Sequence, residues 1–250
     1  MTIPREVELA ESLTAVRARL DRAAGAAGRD PGEIELLPVT KFFPASDVIL
    51  LRKLGCAAFG ESREPEASNK VAEVAALFSG EVPGPPIRWH MIGRIQRKKA
   101  RTVAGWAHAA HSVDSAALLE ALGRAAALAL EEGRRTAPLG VYLQLSLDGD
   151  PARGGVDVDR PDLVDELCAL AHATDGLDFV GLMAIPPLDA DPAESFARLE
   201  TELGRVQSSY QQRLGLSAGM SGDLETAVKH GSTCVRVGTA LLGERPLTSP

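Results

Sequence analysis

Few cysteines, no zinc-ligand spacing and no excess of basic residues set the first limits on this sequence. The three cysteines, Cys56, Cys168 and Cys234, lie far apart along the chain and are odd in number. They therefore predict neither a metal site nor a disulfide framework. Reduced thiols of this kind favour the cytoplasm.

The sequence also lacks a stretch that resembles a signal peptide or a membrane span. Its first residues, MTIPREVELAESL, carry acidic side chains early and contain no apolar core. No apolar run approaches the length that a membrane crossing needs. The formal net charge of −7 disfavours nucleic acid or an anionic membrane as the main partner. We therefore expect a cytoplasmic protein that binds neither.

What is present is ordinary globular composition, with 250 residues of which 45% are hydrophobic and 24% charged. This length suits one large α/β barrel or two small domains. No proline- or serine-rich linker divides the chain, so we expect a single domain over residues 1–250. Within this domain, residues 1–30 should form an N-terminal helix and residues 244–250 a polar, flexible tail.

Apolar segments alternate with helical patterns along almost the whole sequence. Such alternation predicts parallel strands joined by helices, and eight repeats in about 250 residues suit a closed (β/α)8 barrel. An open, doubly wound sheet is the alternative. The predicted strands lie within Glu33–Pro44, Ala57–Glu61, Ile87–Gly93, Ala107–Val113, Leu139–Leu147, Leu177–Ile185, Leu216–Met220 and Cys234–Gly238.

The first strand leads to a lysine. No charged residue lies between Glu35 and Lys41. This pattern predicts a strand that is buried on both faces, with Lys41 at its carboxyl end. Ligands bind at this end of parallel sheets. We expect neighbours to desolvate Lys41, which favours the neutral amine that attacks a carbonyl. The alternative is a lysine that extends into solvent.

The last fifth of the chain predicts a phosphate site. Ser221 and Asp223 open a turn into a helix, and Gly238-Thr239 leaves the final strand in a similar way. Backbone N–H groups in such turns suit a phosphate, although helix capping uses the same donors. Arg236 lies inside the otherwise apolar strand CVRVG and needs a partner. An ion pair with an acid inside the barrel is its alternative role.

The segment WHMIGRIQRKKAR combines a histidine with a basic run. His90 falls in the third strand, where a satisfied core histidine is the usual interpretation. The basic residues predict a helix over Gln96–Ala104. Such a helix is usually a solvated face, and it also attracts anionic ligands or partners.

An amine at a strand end, a phosphate cradle and a buried arginine together indicate a phosphorylated aldehyde held as a Schiff base. Pyridoxal 5'-phosphate (PLP) is the obvious candidate. A Schiff-base aldolase that acts on a sugar phosphate would use similar parts and remains the main competitor on physical grounds.

Five segments of the sequence resemble one known family. These are VTKFFPA, FGE, WHMIGRIQRKK, GLMAIPP and GMSGDLETAVKHGSTCVRVGTALLG, and they occur in order from about Leu36 to Gly243. They are similar to the pyridoxal phosphate homeostasis protein family, also called the YggS/PROSC family. That family is related to the N-terminal barrel of alanine racemase, which is a fold type III PLP protein.

The resemblance implies a single PLP-binding barrel with the cofactor on Lys41 as a Schiff base. It implies phosphate contacts from Ser221, Gly238 and Thr239, with Arg236 near the pyridine nitrogen. The remaining residues that it implies around the cofactor are Ser62, His90 and Met220. Three positions depart from the family pattern: Ser62 replaces a common asparagine, Arg153 a common lysine, and Arg97-Lys98-Lys99 the sequence SNK.

The function that the resemblance implies is intracellular PLP homeostasis with little or no turnover, in exchange with PLP-dependent apo-enzymes. A weak amino-acid racemase or lyase is the alternative. Alanine racemase takes a second catalytic base from an added C-terminal domain, and neither Tyr142 nor Tyr210 stands in a matching place here. We expect a monomer or a weak homodimer.

Overall fold

The computed structural model describes residues 4–77, 85–150 and 152–244. Its strands follow the predicted order along the chain, with shorter bounds than the apolar patterns indicate. They are Glu35–Pro38 (β1), Ala58–Glu61 (β2), Arg88–Met91 (β3), Ala109–Val113 (β4), Leu139–Ser146 (β5), Val156–Asp157 (β6), Leu177–Met183 (β7), Gly215–Ser217 (β8) and Cys234–Val237 (β9).

Eight of these strands form one parallel sheet in the order β1-β9-β8-β7-β5-β4-β3-β2, and the two-residue strand β6 pairs with β5. The two ends of this order also meet, because Val39 forms a parallel bridge with Gly60. The Thr40 N–H donates a 3.0 Å hydrogen bond to the Gly60 carbonyl at the same seam. The predicted (β/α)8 barrel is therefore confirmed, and the open sheet is excluded.

Helices cover the outside of the barrel. Helix α1 precedes the first strand, and its buried residues recur at three- and four-residue spacing, as in Leu9, Leu13, Val16 and Leu20. It packs against α8 and α9. The helices are Arg5–Ala26 (α1), Ala45–Lys53 (α2), Glu66–Leu77 (α3), Ala100–Trp106 (α4), Ala116–Glu131 (α5), Pro161–Ala173 (α6), Pro192–Gln207 (α7), Leu224–Lys229 (α8) and Thr239–Leu242 (α9).

Apolar packing between the helices and the barrel falls into two large clusters. One joins α4 to α7 with strands β4, β5 and β7, and includes Leu119, Leu143 and Phe196. The other joins α1, α2 and α8 with β1 and β9, and includes Leu13 and Phe59. No helix in the described stretches has both the length and the apolar character of a membrane span.

Two local predictions are corrected by the structure. The basic helix predicted over Gln96–Ala104 is a 3-10 turn at Arg97–Lys99 followed by α4, which begins at Ala100. The sequence also predicts no strand between Leu147 and Leu177, whereas the structure contains the short strand β6 there. Apart from Glu244, the tail predicted at residues 244–250 lies outside the described part of the chain, as do residues 1–3 of the N-terminal segment.

Candidate functional site

Lys41 lies in a tight turn at the carboxyl end of β1. The Phe43 N–H donates a 3.1 Å hydrogen bond to the Thr40 carbonyl, so the turn places Lys41 and Phe42 at its tip. Lys41 is exposed, and its Nζ lies 5.8 Å from the centroid of the Phe42 ring. The predicted desolvation of Lys41 is therefore wrong. The turn places Lys41 beyond the carboxyl end of β1, which ends at Pro38.

Phe42 occupies a backbone conformation that side chains rarely adopt. Its φ is 69°, and it is the one described non-glycine residue with a positive φ. The Arg63 guanidinium lies 5.7 Å from the ring centroid of Phe42. A non-glycine residue in the left-handed region costs about 1–2 kcal/mol, and such strain concentrates at functional sites. The strained turn thus presents Lys41.

A buried polar cluster lies directly behind this turn. Lys70 Nζ donates 2.8 Å hydrogen bonds to the Thr40 carbonyl and to Glu61 Oε1. The Thr40 hydroxyl donates to the same Glu61 oxygen at 2.7 Å. Burial raises the pKa of Glu61, while the charges of Lys70 and Lys41 oppose that shift. Lys70 therefore anchors the backbone residue that precedes Lys41.

Two turns that follow β8 and β9 are joined to each other. The Ser221 hydroxyl accepts a 3.1 Å hydrogen bond from the Ala240 N–H. The Met220 N–H donates to Asp223 Oδ1 at 2.6 Å, which closes the turn that contains Ser221. The Arg19 guanidinium donates to the Ser221 carbonyl at 3.1 Å from outside the barrel. In the described chain, the N–H groups of Gly238 and Thr239 have no protein acceptor.

The glycine turn lies beside the strand that leads to Lys41. Strands β1 and β9 pair with Pro38 opposite Val237, and the Val39 N–H donates to the Val237 carbonyl at 2.9 Å. A Cβ atom placed on Gly238 would lie 3.6 Å from the Val39 side chain. The predicted phosphate turn and the predicted nucleophile therefore leave adjacent strands at the same end of the barrel.

Arg236 is buried in β9 and points along the barrel interior. Its Nη1 donates to Ser217 Oγ at 2.6 Å, and its Nη2 donates to the Ala184 carbonyl at 3.1 Å. Among the described residues no carboxylate forms an ion pair with Arg236. Burial lowers the pKa of this guanidinium from its usual value. The alternative role of Arg236 as half of an interior ion pair is thus excluded.

His90 lies deeper in the barrel than the sequence indicates. Its Nδ1 lies 2.8 Å from Nε2 of His111, and Nδ1 of His111 lies 2.8 Å from Ser217 Oγ. Burial, followed by the charges of His108 and Arg88, lowers the pKa of His90 to about 3. Burial also lowers the pKa of His111 well below its usual value. His90 is therefore linked to Arg236 through two other side chains.

The other predicted residues border the same open end. Ser62 lines a cavity of about 250 Å³ together with the cationic side chains of Arg63, Arg94 and Lys99. The backbone of Ser62 packs so closely on Gly93 that a Cβ there would lie 2.0 Å from the Ser62 carbonyl oxygen. Met220 is 39% exposed, which suits a residue that covers a ligand.

Arg153, which departs from the family pattern, fastens one loop to another. Its Nη2 donates to the carbonyls of Ile185 and Pro186, at 3.1 and 2.8 Å. Its Nη1 lies 3.5 Å from Asp148 Oδ2. The guanidinium therefore ties the loop after β5 to the loop after β7.

The sequence pattern alone missed four polar residues of this site. His111 and Ser217 are buried inside the barrel and connect His90 to Arg236. Thr40 and Lys70 hold the turn of Lys41. One signal was available for Lys70, since it falls on the face of α3 that carries the buried Ala67 and Val74.

Comparisons with known proteins point in one direction. The sequence model of the family described as alanine racemase, N-terminal domain, matches residues 12–246. A Mycobacterium bovis relative named pyridoxal phosphate homeostasis protein is 59% identical over 248 residues, which are 98% of this chain and 96% of that protein.

Solved structures agree with these relatives. PipY of Synechococcus elongatus PCC7942, with PLP bound, superposes with a TM-score of 0.75 at 34% identity, over 94% of this chain and all of PipY. Alanine racemase from Corynebacterium glutamicum superposes with a TM-score of 0.65 at 14% identity. That match covers 94% of this chain and 60% of the racemase, and at this identity it shows a shared fold alone.

Proposed function

This chain belongs to the pyridoxal phosphate homeostasis protein family, and on that basis we propose that it binds PLP as a Schiff base on Lys41. We propose further that it serves intracellular PLP homeostasis, with little or no catalytic turnover. The observation that carries this proposal is the position of two turns on adjacent strands. The Lys41 turn follows β1, and the Gly238 turn follows β9, where Val39 and Val237 are hydrogen bonded.

The residues at this end of the barrel fit a phosphorylated aldehyde. The N–H groups of Gly238 and Thr239 are available to phosphate oxygens, because no described protein group accepts from them. The Ser221 hydroxyl accepts from the Ala240 N–H and so keeps its own proton for a phosphate oxygen. When bound, PLP supplies an aldehyde that reacts with amines and a ring that withdraws electrons from them.

Arg236 would hold the pyridine nitrogen. A guanidinium only donates hydrogen bonds and stays protonated, so it does not transfer a proton to a ring nitrogen. Two of its nitrogens are fixed by Ser217 and Ala184, which leaves further N–H groups for a ligand. An arginine at this position keeps the ring a weaker electron acceptor than a carboxylic acid would, which agrees with low turnover.

The positions of the tyrosines also support the proposal of low catalytic turnover. The sequence contains two tyrosines. Tyr142 stacks on His111 inside the barrel, with ring centroids 4.4 Å apart, and burial raises the pKa of its hydroxyl. Tyr210 packs against Phe179 and His172. Neither of them is placed to act as a base at the turn of Lys41.

The cellular role follows from the chemistry of a reversible Schiff base. We propose that the barrel, as one domain over residues 1–250, takes up PLP and releases it to PLP-dependent apo-enzymes. It would do so in the cytoplasm, as a monomer or a weak homodimer. The three cysteines, which are buried and unpaired, are compatible with a reducing compartment.

Absorbance spectroscopy of Lys41→Ala tests the binding mode. The wild-type protein and the control Lys53→Ala, at an exposed lysine, should develop a visible Schiff-base band when PLP is added, and Lys41→Ala should not. An unchanged band in Lys41→Ala would refute the assignment of the lysine.

A turnover assay separates the homeostasis role from the enzymatic alternative. Racemisation of alanine or serine by the PLP-loaded protein should not exceed the rate with free PLP. The loaded protein should restore activity to a PLP-dependent apo-enzyme. Steady racemisation well above the free-cofactor rate would replace the homeostasis role with that of a weak racemase.

A further inference from the structure

A line of polar side chains crosses the interior of the barrel. It starts at Arg236, whose Nη1 lies 2.6 Å from Ser217 Oγ. From there it continues to Nδ1 of His111 at 2.8 Å, and from Nε2 of His111 to Nδ1 of His90 at 2.8 Å. Nε2 of His90 finally lies 3.9 Å from Glu35 Oε2. Such a line is unusual in a barrel interior, which apolar side chains normally fill.

The two ends of this line lie at opposite ends of the barrel. Arg236 donates to the Ala184 carbonyl, just beyond the carboxyl end of β7, on the side of the candidate site. Glu35 and Arg88 are the first residues of β1 and β3, and they form an ion pair there. The four intervening side-chain contacts therefore connect the ligand face to the far rim.

The direction of hydrogen bonding is fixed at the arginine. A guanidinium has no acceptor, so Ser217 Oγ must accept from Arg236. The best acceptor for the single hydroxyl proton of Ser217 is then Nδ1 of His111, because the nearby sulfur of Cys234 is a weak acceptor. His111 therefore carries its proton on Nε2 and donates it to Nδ1 of His90.

The surroundings of His90 at the far end agree with this direction of hydrogen bonding. His90 must carry its own proton on Nε2, and this nitrogen is the one buried side-chain N or O atom in the described chain without a hydrogen-bond partner. It faces the carboxylate of Glu35, whose negative charge stabilises an N–H directed at it. A lone pair at that position would be repelled by the carboxylate instead.

We infer that His111 and His90 are positioning residues that act on Arg236 through Ser217. By accepting the hydroxyl proton, His111 fixes the rotation of Ser217 so that a lone pair faces the guanidinium. His90 and Glu35 fix the tautomer of His111 in turn. The stacked ring of Tyr142 holds the plane of His111. This inference rests on the proposed function in one respect, that Arg236 faces the cofactor ring.

The first test uses the protein without cofactor, so it is independent of PLP binding. Two-bond 1H–15N correlation spectra of the 15N-labelled protein report which ring nitrogen of each histidine carries the proton. We expect His90 and His111 to be neutral at pH 7, with the proton on Nε2 in both. The variants His90→Asn and His111→Asn assign the signals. A proton on Nδ1 of either ring, or a charged ring, would overturn the direction of the line.

The second test uses a matched pair of variants loaded with PLP. In His111→Asn the side-chain oxygen replaces Nδ1 as acceptor for Ser217, whereas His111→Phe removes it. We expect His111→Asn to keep the wild-type visible spectrum. His111→Phe should shift the visible maximum and raise the Kd for PLP roughly threefold to tenfold, the value of one net hydrogen bond. Two folded variants that both match wild type would refute the positioning role.

Ser217→Ala covers the case in which His111→Phe does not fold. It removes one oxygen atom, breaks the line at the arginine and should change the spectrum in the same direction. In the cofactor-free protein it should also alter the Nδ1 signal of His111 without moving the proton of His90. A wild-type protein that takes up no PLP would refute the proposed function alone, since the tautomer result stands apart from it.

Discussion

Lys70 donates a 2.8 Å hydrogen bond to the backbone carbonyl of Thr40, the residue directly before Lys41. The same ammonium group pairs with Glu61 Oε1, also at 2.8 Å, where the side chains of Lys70 and Glu61 are 12% and 3% exposed. Removing one partner of a charge pair this deeply buried destabilises the protein, because the other charge is left buried and uncompensated. It also determines where the Lys41 turn begins.

Removing the ammonium group of Lys70 should therefore destabilise the protein more than an ordinary lysine substitution. We expect Lys70→Met to lower the free energy of unfolding by about 3 kcal/mol, the cost of leaving a buried partner unpaired. Adding Glu61→Gln should recover part of that loss, because no charge is then buried alone. Urea denaturation of both single variants and the double variant measures the coupling. The exposed Lys53 gives the control, Lys53→Met. Additive effects would show that the pair is not coupled.

The strained turn of Phe42 gives a prediction about stability. Phe42→Ala loses the ring and keeps a Cβ at a φ of 69°, whereas Phe42→Gly loses the ring and relieves the strain. We expect the glycine variant to be more stable than the alanine variant by about 1 kcal/mol. At an ordinary helical position glycine is the less stable of the two. An alanine variant at least as stable as the glycine variant would contradict the strain at this turn.

Ser221 should contribute to the affinity for the phosphate group of PLP and not to the affinity for the rest of the ligand. Ser221→Ala removes one donor and frees the Ala240 N–H, so we expect the Kd for PLP to rise roughly tenfold. The affinity for pyridoxal, which has no phosphate, should change little. Ser208→Ala, at an exposed serine, serves as the control. An equal loss for both ligands would place Ser221 away from the phosphate.

The neutral histidines inside the barrel make stability sensitive to acid. The pKa of His90 is lowered to about 3 in the folded protein, while an unfolded histidine titrates near about 6.5. Between these two pKa values the unfolded chain binds a proton at this histidine and the folded chain does not. The free energy of unfolding therefore decreases as the pH is lowered, by about 1.4 kcal/mol per pH unit for each such histidine. His111 adds a loss in the same direction.

Denaturation curves of His90→Asn check this between about pH 5.5 and pH 4, inside the window set by the two pKa values. The variant should lose stability less steeply than wild type on acidification, by about 1.4 kcal/mol per pH unit. The exposed His172 gives the control variant, His172→Asn. Parallel curves for wild type and His90→Asn would mean that His90 is not held neutral.

The barrel could be predicted from the sequence because the patterns that indicate it are local and repeated. Each apolar run lies between helical segments, and the helix over residues 5–26 shows its buried spacing directly. Strand ends were less accurate, since a parallel strand and the turn after it are both apolar here, as at Leu216–Met220. The strand β6 was missed because two paired residues leave no pattern that could be recognised.

The site was only partly visible in the sequence. Lys41, Ser221 and Gly238 follow strand ends and Arg236 lies inside β9, and the structure shows that the turns with Lys41 and Gly238 follow adjacent strands. The exposure of Lys41 depends on a turn with a positive φ at Phe42, which no propensity of phenylalanine predicts. The contact of His90 with His111 joins residues 21 apart in sequence, and it depends on barrel geometry that local patterns do not encode.

The most direct test of the account is to trap the bound cofactor chemically. The protein is loaded with PLP, reduced with borohydride, digested and mapped by peptide mass spectrometry. We predict that the visible band disappears on reduction and that the pyridoxyl label lies on Lys41. A label on another lysine, such as Lys70 or Lys99, or a protein that stays colourless and unlabelled, would contradict the assignment of this barrel as a PLP site built on Lys41.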